Sequence, residues 1–191
     1  MQTIENRLYS GLTPFFQSEP PTPYEEAIRQ IWYFETVFFE ACSALGARVA
    51  NALGRPNGEG LNMGMLRIGF WPGGDRDGNP YVGAETTLRV ARKLKLTLLR
   101  CYRKEFRELR RLVTFKGLEG ELDLLQGMVE ESIFNSSDLS LKQDVLLHGL
   151  RRLEKRVEAE FNGLYLDQIR QLIFKVRMFG LHFASLDIRQ D

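Results

Sequence analysis

Between residues 69 and 80 the chain reads Gly69-Phe70-Trp71-Pro72-Gly73-Gly74-Asp75-Arg76-Asp77-Gly78-Asn79-Pro80. Three glycines and two prolines fall among the nine residues 72–80, which rules out a helix or a regular strand interior there. Any fold the chain adopts must turn at this point. Glycine also permits positive φ angles and close backbone approach. Asp75, Arg76, Asp77 and Asn79 place two carboxylates, a guanidinium and an amide within five positions. The ordinary reading of such a cluster is a surface turn with solvated charges. Phe70 and Trp71 just before it imply instead that the base of the loop is buried. Asp75-x-Asp77-x-Asn79 opens like the calcium loop of a helix-loop-helix site. That loop needs Gly at its sixth position and Glu at its twelfth, where this chain has Pro80 and Thr86, so calcium is set aside.

Short alternating segments flank the helical part of the chain. In residues 65–71, Leu66, Ile68 and Phe70 share one face and Arg67, Gly69 and Trp71 the other, which predicts a short strand. It delivers the glycine-rich loop at its C-terminal end, where parallel strands of barrels and open sheets carry chemistry. Residues 181–191 alternate again, with His182, Ala184, Leu186 and Ile188 opposite Phe183, Ser185, Asp187, Arg189 and Asp191. Asp187 can hold Arg189 rigid for a bidentate grip on phosphate or carboxylate, although a simple ion pair at a strand end fits equally well. A chain that stops at such a strand is expected to be a piece of something longer.

The remaining pattern is helical. Ile4, Leu8, Leu12 and Phe15 predict a short amphipathic helix over residues 3–16, and three prolines in residues 18–23 an extended linker. Thr22, Pro23 and Glu25 spell an N-cap, a first helical residue and a capping box. The stripe Tyr24, Ile28, Ile31, Phe34, Phe38, Cys42, Leu45, Val49 then runs to a stop at Gly54 and Pro56, with Trp32, Tyr33, Val37 and Phe39 widening it almost all the way round. A helix this apolar is buried or meets a partner, and on its own leaves an exposed aromatic patch. Glu35, inside that stretch, reads as a buried carboxylate with an Arg or backbone partner, or else as an acid/base group. A polar loop over residues 57–62 follows.

A long helix over residues 84–113 is predicted from Leu88, Ala91, Leu94, Leu98, Tyr102, Phe106, Leu109 and Val113. Residues 85–111 carry ten basic side chains against three acidic, and residues 119–144 carry seven acids against Lys142, so internal charge complementarity is expected. Leu118, Leu122, Leu125, Val129 and Ile133 mark the next helix, and residues 135–138 a loop. Val145, Leu146, Leu150, Leu153, Val157 and Phe161 mark another. Tyr165, Ile169, Leu172, Ile173 and Val176 mark the last, over residues 164–179 and closed by Gly180. His148, among leucines, reads as structural.

The 191 residues suffice for one domain with a core, and a net charge of +1 gives no bulk attraction to polyanions. Cys42 and Cys101 sit in helical patterns and read as buried thiols of a reducing compartment. No eighteen-residue apolar run and no basic start followed by an apolar core is present, so the expectation is a cytoplasmic protein without a membrane span. Two histidines, no His/Cys cluster, no Gly-x-Ser-x-Gly and no Gly-Lys-Ser/Thr loop leave a free-standing hydrolase poorly supported.

Phe70-Trp71-x-Gly73-Gly74-Asp75-Arg76-Asp77-Gly78-Asn79-Pro80 resembles the GGDRDGNP signature of phosphoenolpyruvate carboxylase, and Leu186-Asp187-Ile188-Arg189-Gln190 resembles that family's LDIRQ strand, in the family's order. Pro72 departs from the Met, Ile or other apolar residue usual there. The resemblance implies a mainly α fold: residues 1–191 as a single helical domain, an internal fragment of a larger chain, whose two short β-strands belong to a central β-barrel. It implies a parent lyase that joins bicarbonate to phosphoenolpyruvate, with Mg²⁺ or Mn²⁺, giving oxaloacetate for the tricarboxylic acid cycle and phosphate. The parent is expected to be a homotetramer. By position, Arg189 resembles the arginine that binds the substrate phosphate, and Asp75, Arg76, Asp77 and Asn79 resemble the loop lining the same barrel mouth. The family's His-Pro-Thr-Glu segment, its His-Gly-Arg-Gly-Gly loop and its metal-binding acidic pair have no counterpart here. The fragment alone is therefore expected to bind no metal and to turn nothing over. The competing reading is a non-enzymatic helical module that binds an anionic partner through the basic helix 85–111; nucleic acid is not the expected partner.

Overall fold

A computed structural model describes residues 20–55, 66–77, 79–135 and 140–189. The helix expected over 3–16, most of the linker and the loop over 57–62 lie outside them. Thr22 caps α1 (Pro23–Tyr33) through the predicted box: its Oγ1 accepts the Glu25 N–H at 3.3 Å, and Glu25 accepts the Thr22 N–H at 2.9 Å. That contact lowers the Glu25 carboxyl below its ordinary value, chiefly through the backbone N–H of Thr22. Pro23 is therefore the first helical residue rather than the end of a linker.

One π-turn, Phe34–Phe38, leads without a break into α2 (Phe39–Ala52). The Phe39 N–H reaches back five residues to the Phe34 carbonyl, so one extra residue enters the turn. The apolar stripe is shifted by that residue. Ala27, Ile31 and Phe34 are buried as a 3.6-residue period predicts, but the face then continues through Phe39, Ser43, Gly46 and Ala50. The expected members Phe38 and Leu45 are exposed, as are Trp32, Tyr33 and Val37. Glu35, expected to be buried, is also exposed, because it stands on the outer side of the turn.

The central element is α3 (Ala84–Leu112), which buries Val90, Leu94, Leu98, Tyr102, Phe106 and Leu109. Leu88 is exposed, and Thr87 and Val90 occupy the core face in its place. Packed on α3 are α1, α4 (Glu119–Phe134) and α6 (Leu166–Phe179); α5 (Gln143–Glu160) closes the bundle against α4 and α6. The predicted core residues Leu122, Leu125, Val129, Leu146, Leu150, Leu153, Val157, Ile169 and Leu172 are buried, while Val145 and His148 face outward. Tyr102 donates its hydroxyl to the Gly180 carbonyl at 2.8 Å, tying the end of α6 to the middle of α3.

The basic face of α3 meets α4 where the charge pattern predicts: Arg110 pairs with Asp123 at 2.6 Å and Arg107 with Glu130 at 3.5 Å. The acids of α4 also serve α5, since Glu121 accepts from both Arg152 and Arg156. A buried cation links three helices. Lys175 of α6 contacts Glu40 of α2 at 2.8 Å and Glu105 of α3 at 2.9 Å, with its ammonium over the Phe39 ring. No described helix is long and apolar enough to cross a membrane.

Two strands complete the described structure: β1 (Gly69–Phe70) and β2 (Ser185–Leu186), paired in parallel with Gly69 opposite Ser185 and Phe70 opposite Leu186. The chain is thus mainly α with two short strands. Burial alternates along residues 66–70, as a half-buried strand requires, but only two residues lie opposite a partner and form a ladder. Phe34 holds this pair to the bundle, its ring 5.5 Å from Phe70 and 5.7 Å from Phe183.

Candidate functional site

The glycine-rich loop leaves β1 through a tight turn in which the Gly74 and Asp75 N–H groups both donate to the Trp71 carbonyl, at 2.9 and 3.2 Å. Gly73 has φ +79°, and a Cβ there would come within 2.6 Å of Val90 on α3. At Gly74 a Cβ would collide with the backbone carbonyl oxygen of Asp187. The glycine pair is required because the loop is pressed between a helix on one side and a strand backbone on the other. Thr87, whose role the sequence did not signal, ties the loop to the first turn of α3 by donating its hydroxyl to the Gly73 carbonyl at 2.8 Å.

This close approach joins the two sequence motifs. The Asp187 N–H donates to the Phe70 carbonyl at 2.8 Å, the Arg189 N–H to the Gly74 carbonyl at 3.2 Å, and the Arg76 N–H to the Arg189 carbonyl at 3.1 Å. Asp75 and Arg189 thus form a parallel bridge beyond the end of β1 and β2. The Arg189 guanidinium stays 61% exposed while Asp187 accepts from its Nε and Nη2 at 3.3 and 3.2 Å, and an Asp75 oxygen lies 3.9 Å from Nη1. Neither of the two hydrogen bonds to Asp187 uses Nη1, which faces the Asp75 carboxylate instead.

The other loop side chains play different parts. Asp75 Oδ1 accepts the Asp77 N–H and Asn79 Oδ1 accepts the Tyr81 N–H, both at 3.1 Å, so these two side chains shape turns. Asp77 and Asn79 are exposed. Arg76 is half-buried, and its Nε is buried without a hydrogen-bond partner among the described residues, a donor in need of an acceptor. Asp75 and the Arg76 backbone are therefore brought to Arg189, whereas no hydrogen bond or ion pair among the described residues ties Asp77 or Asn79 to it. Asp75 and Asp187 balance the two guanidiniums in charge, so a dianion gripped here needs positive charge from elsewhere. Among the described residues, no three His, Cys, Asp or Glu side chains group as a metal cage.

The comparisons with known proteins point to one family. A family model described as phosphoenolpyruvate carboxylase matches residues 5–138. A phosphoenolpyruvate carboxylase of Hahella chejuensis is 31% identical over 91% of this chain and 23% of its own length. One of Shewanella halifaxensis is 26% identical over 92% of this chain and 24% of its own. Phosphoenolpyruvate carboxylase 1 of Chlamydomonas reinhardtii is 40% identical over a shorter stretch, 43% of this chain and 9% of its own. The chain spans about a quarter of the length of the curated relatives that it matches along most of its own. With a family model covering more than half of its residues, and with both motifs meeting at one bridge, the chain belongs to the phosphoenolpyruvate carboxylase family.

Proposed function

We propose that this chain is the part of a phosphoenolpyruvate carboxylase that holds the substrate phosphate, with Arg189 as the gripping residue and the loop at Asp75, Arg76, Asp77 and Asn79 as the surrounding rim. The single observation that supports it most is the Asp75–Arg189 bridge, which fixes an exposed guanidinium at the C-terminal end of a parallel strand pair. Carboxylation by bicarbonate requires the phosphoryl group to pass from the enol oxygen to a bicarbonate oxygen, so the enol O–P bond breaks as the new O–P bond forms, the enolate oxygen keeps the electron pair, and charge is spread over the three phosphoryl oxygens. A guanidinium held in advance at those oxygens stabilises that charge without reorganising. The exposed Arg189 side chain, with Nη1 outside the hydrogen bonds to Asp187, suits this task. In this reading the two strands belong to a central β-barrel, and further residues of the parent, a cytoplasmic homotetramer, complete the cavity.

Asp75 and Asp187 both face Arg189, so its charge is already offset, which supports the view that the cavity is incomplete within these residues. The described residues do not fit Mg²⁺ or Mn²⁺, and the reading leaves that ion to residues outside them. In this reading the 191 residues supply one part of the cavity, and metal binding and turnover belong to the parent protein. The alternative, an anionic partner on α3, is weakened because Arg107 and Arg110 are already engaged by α4. Steady-state kinetics of the full-length protein that carries this chain test the proposal. Arg189→Ala should lower kcat/KM for phosphoenolpyruvate about a hundredfold or more, as loss of a transition-state contact does. A near-unchanged value would remove Arg189 from substrate binding.

A further inference from the structure

A groove of about 420 Å³ opens between α2 and α6. The two helices meet at Gly46, where a Cβ would collide with Phe174 and Met178. Beside that contact Ala44 and Ala47 are too small to fill the space, and the buried Phe174 floors it. Charge stands at both ends. Glu40 marks one end, its side chain 66% exposed while Oε1 meets the Lys175 ammonium at 2.8 Å. Asp167, exposed in the first turn of α6, marks the other. At 1.5 Å per helical residue, Asp167 lies about 12 Å along α6 from Lys175, and hence from the place of the Glu40 carboxylate. Arg170 and Lys175 also line the groove, but each is held by two carboxylates: Arg170 by Glu154 and Glu158, Lys175 by Glu40 and Glu105. With Asp167 added, five carboxylates face two cations among these side chains, so the groove is negative.

We propose that this groove binds a linear aliphatic polyamine, with one ammonium on Glu40, another on Asp167 and the methylene chain between them over Phe174, Ala44 and Ala47. A compact cation can meet only one of two carboxylates that stand so far apart, whereas a chain with an amine near each end meets both. Each ammonium donates a charge-assisted hydrogen bond to its carboxylate. A carboxylate offers about four acceptor sites, so Glu40 keeps capacity for a ligand while it holds Lys175. The methylenes bury apolar surface against the floor, and the Phe174 ring also tolerates a cation over its face. The negative groove repels phosphates and carboxylates, which sets its chemistry apart from that of the Arg189 grip.

Isothermal titration calorimetry of the 191-residue chain with spermidine tests this. Spermidine should bind saturably at one site. Putrescine, too short to reach both carboxylates, should bind about tenfold or more weakly, the usual worth of one charged hydrogen bond. Diaminooctane carries two charges like putrescine but has the reach of spermidine, and should recover most of that loss. Glu40→Gln, which keeps an acceptor for Lys175, and Asp167→Asn should each weaken spermidine about tenfold. Ala47→Leu, which fills the groove without changing a charge, should weaken it at least as much. Arg189→Ala should leave binding in place, since the groove and the phosphate grip share no residue. Diaminooctane no tighter than putrescine, or spermidine binding unchanged in the Glu40→Gln/Asp167→Asn double variant or in Ala47→Leu, would overturn the proposal.

Discussion

The backbone N–H of Arg76 donates to the backbone carbonyl of Arg189 at 3.1 Å, across 113 residues of chain. Neither residue's side chain makes this contact. Once the backbones are joined, Arg76 and Arg189 stand on adjoining stretches of chain whatever their rotamers. The site therefore depends on the loop backbone fitting against residues 187–189, just after β2.

Gly74→Ala should break that fit. Its Cβ would meet a main-chain oxygen, which cannot rotate away, so a stability loss of about 1–3 kcal/mol is expected in urea unfolding. Gly69→Ala, with open space around its Cβ, should cost well under half as much. Equal losses at the two positions would contradict the close-packed loop.

Asp187→Asn should loosen Arg189 without unfolding the chain. The pair is exposed on both sides, so its loss should change stability by less than about 1 kcal/mol. In the full-length protein it should lower kcat/KM by about tenfold, less than Arg189→Ala, because the guanidinium remains but is no longer aimed. A loss as large as that of Arg189→Ala would mean that Asp187 itself meets the substrate.

Lys175→Met should cost about 3–5 kcal/mol near neutral pH, since it strands the Glu105 carboxylate in the interior. Burial already raises Glu105 above its ordinary value, with Lys175 partly offsetting it. The stability tied to Glu105 is complete below the unfolded value and is lost as pH rises through the higher folded one. Without Lys175 the folded value climbs further and the loss deepens. Denaturant unfolding at about pH 4 and pH 7 should show the variant's deficit growing with pH; a constant deficit would contradict this account.

Cys101 should be inert in the native chain. Burial, followed by the charges of Glu35 and Glu105, pushes its thiol up to about 12, so almost no thiolate exists at neutral pH. Labelling with a thiol reagent at about pH 8 should modify Cys101 only on unfolding, and Cys42 faster.

Phe34→Ala should cost about 3–5 kcal/mol and detach the strand pair from the bundle. Trp32→Ala, two residues away but 57% exposed, should leave the stability of this chain nearly unchanged. Parallel thermal melts decide between them.

The sequence by itself determined the local features. Thr22 and Glu25 form their capping box from residues three apart, and the leucine stripes of α3 to α6 follow from a 3.6-residue period that neighbours enforce. The family was legible because eight consecutive residues around the loop are nearly literal, and the loop's turns are made by its own Asp75 and Asn79. Tertiary structure alone decided the rest. One extra residue in the Phe34–Phe38 turn shifted the α2 face from Phe38 and Leu45 to Phe39 and Gly46 and left Glu35 outside, an offset that no periodic template contains. The parallel register of Gly69 with Ser185, and the ion cluster of Lys175, Glu40 and Glu105, join residues far apart in sequence. Such contacts depend on how the helices pack, because the loop-closure entropy they cost is offset only by the assembled core.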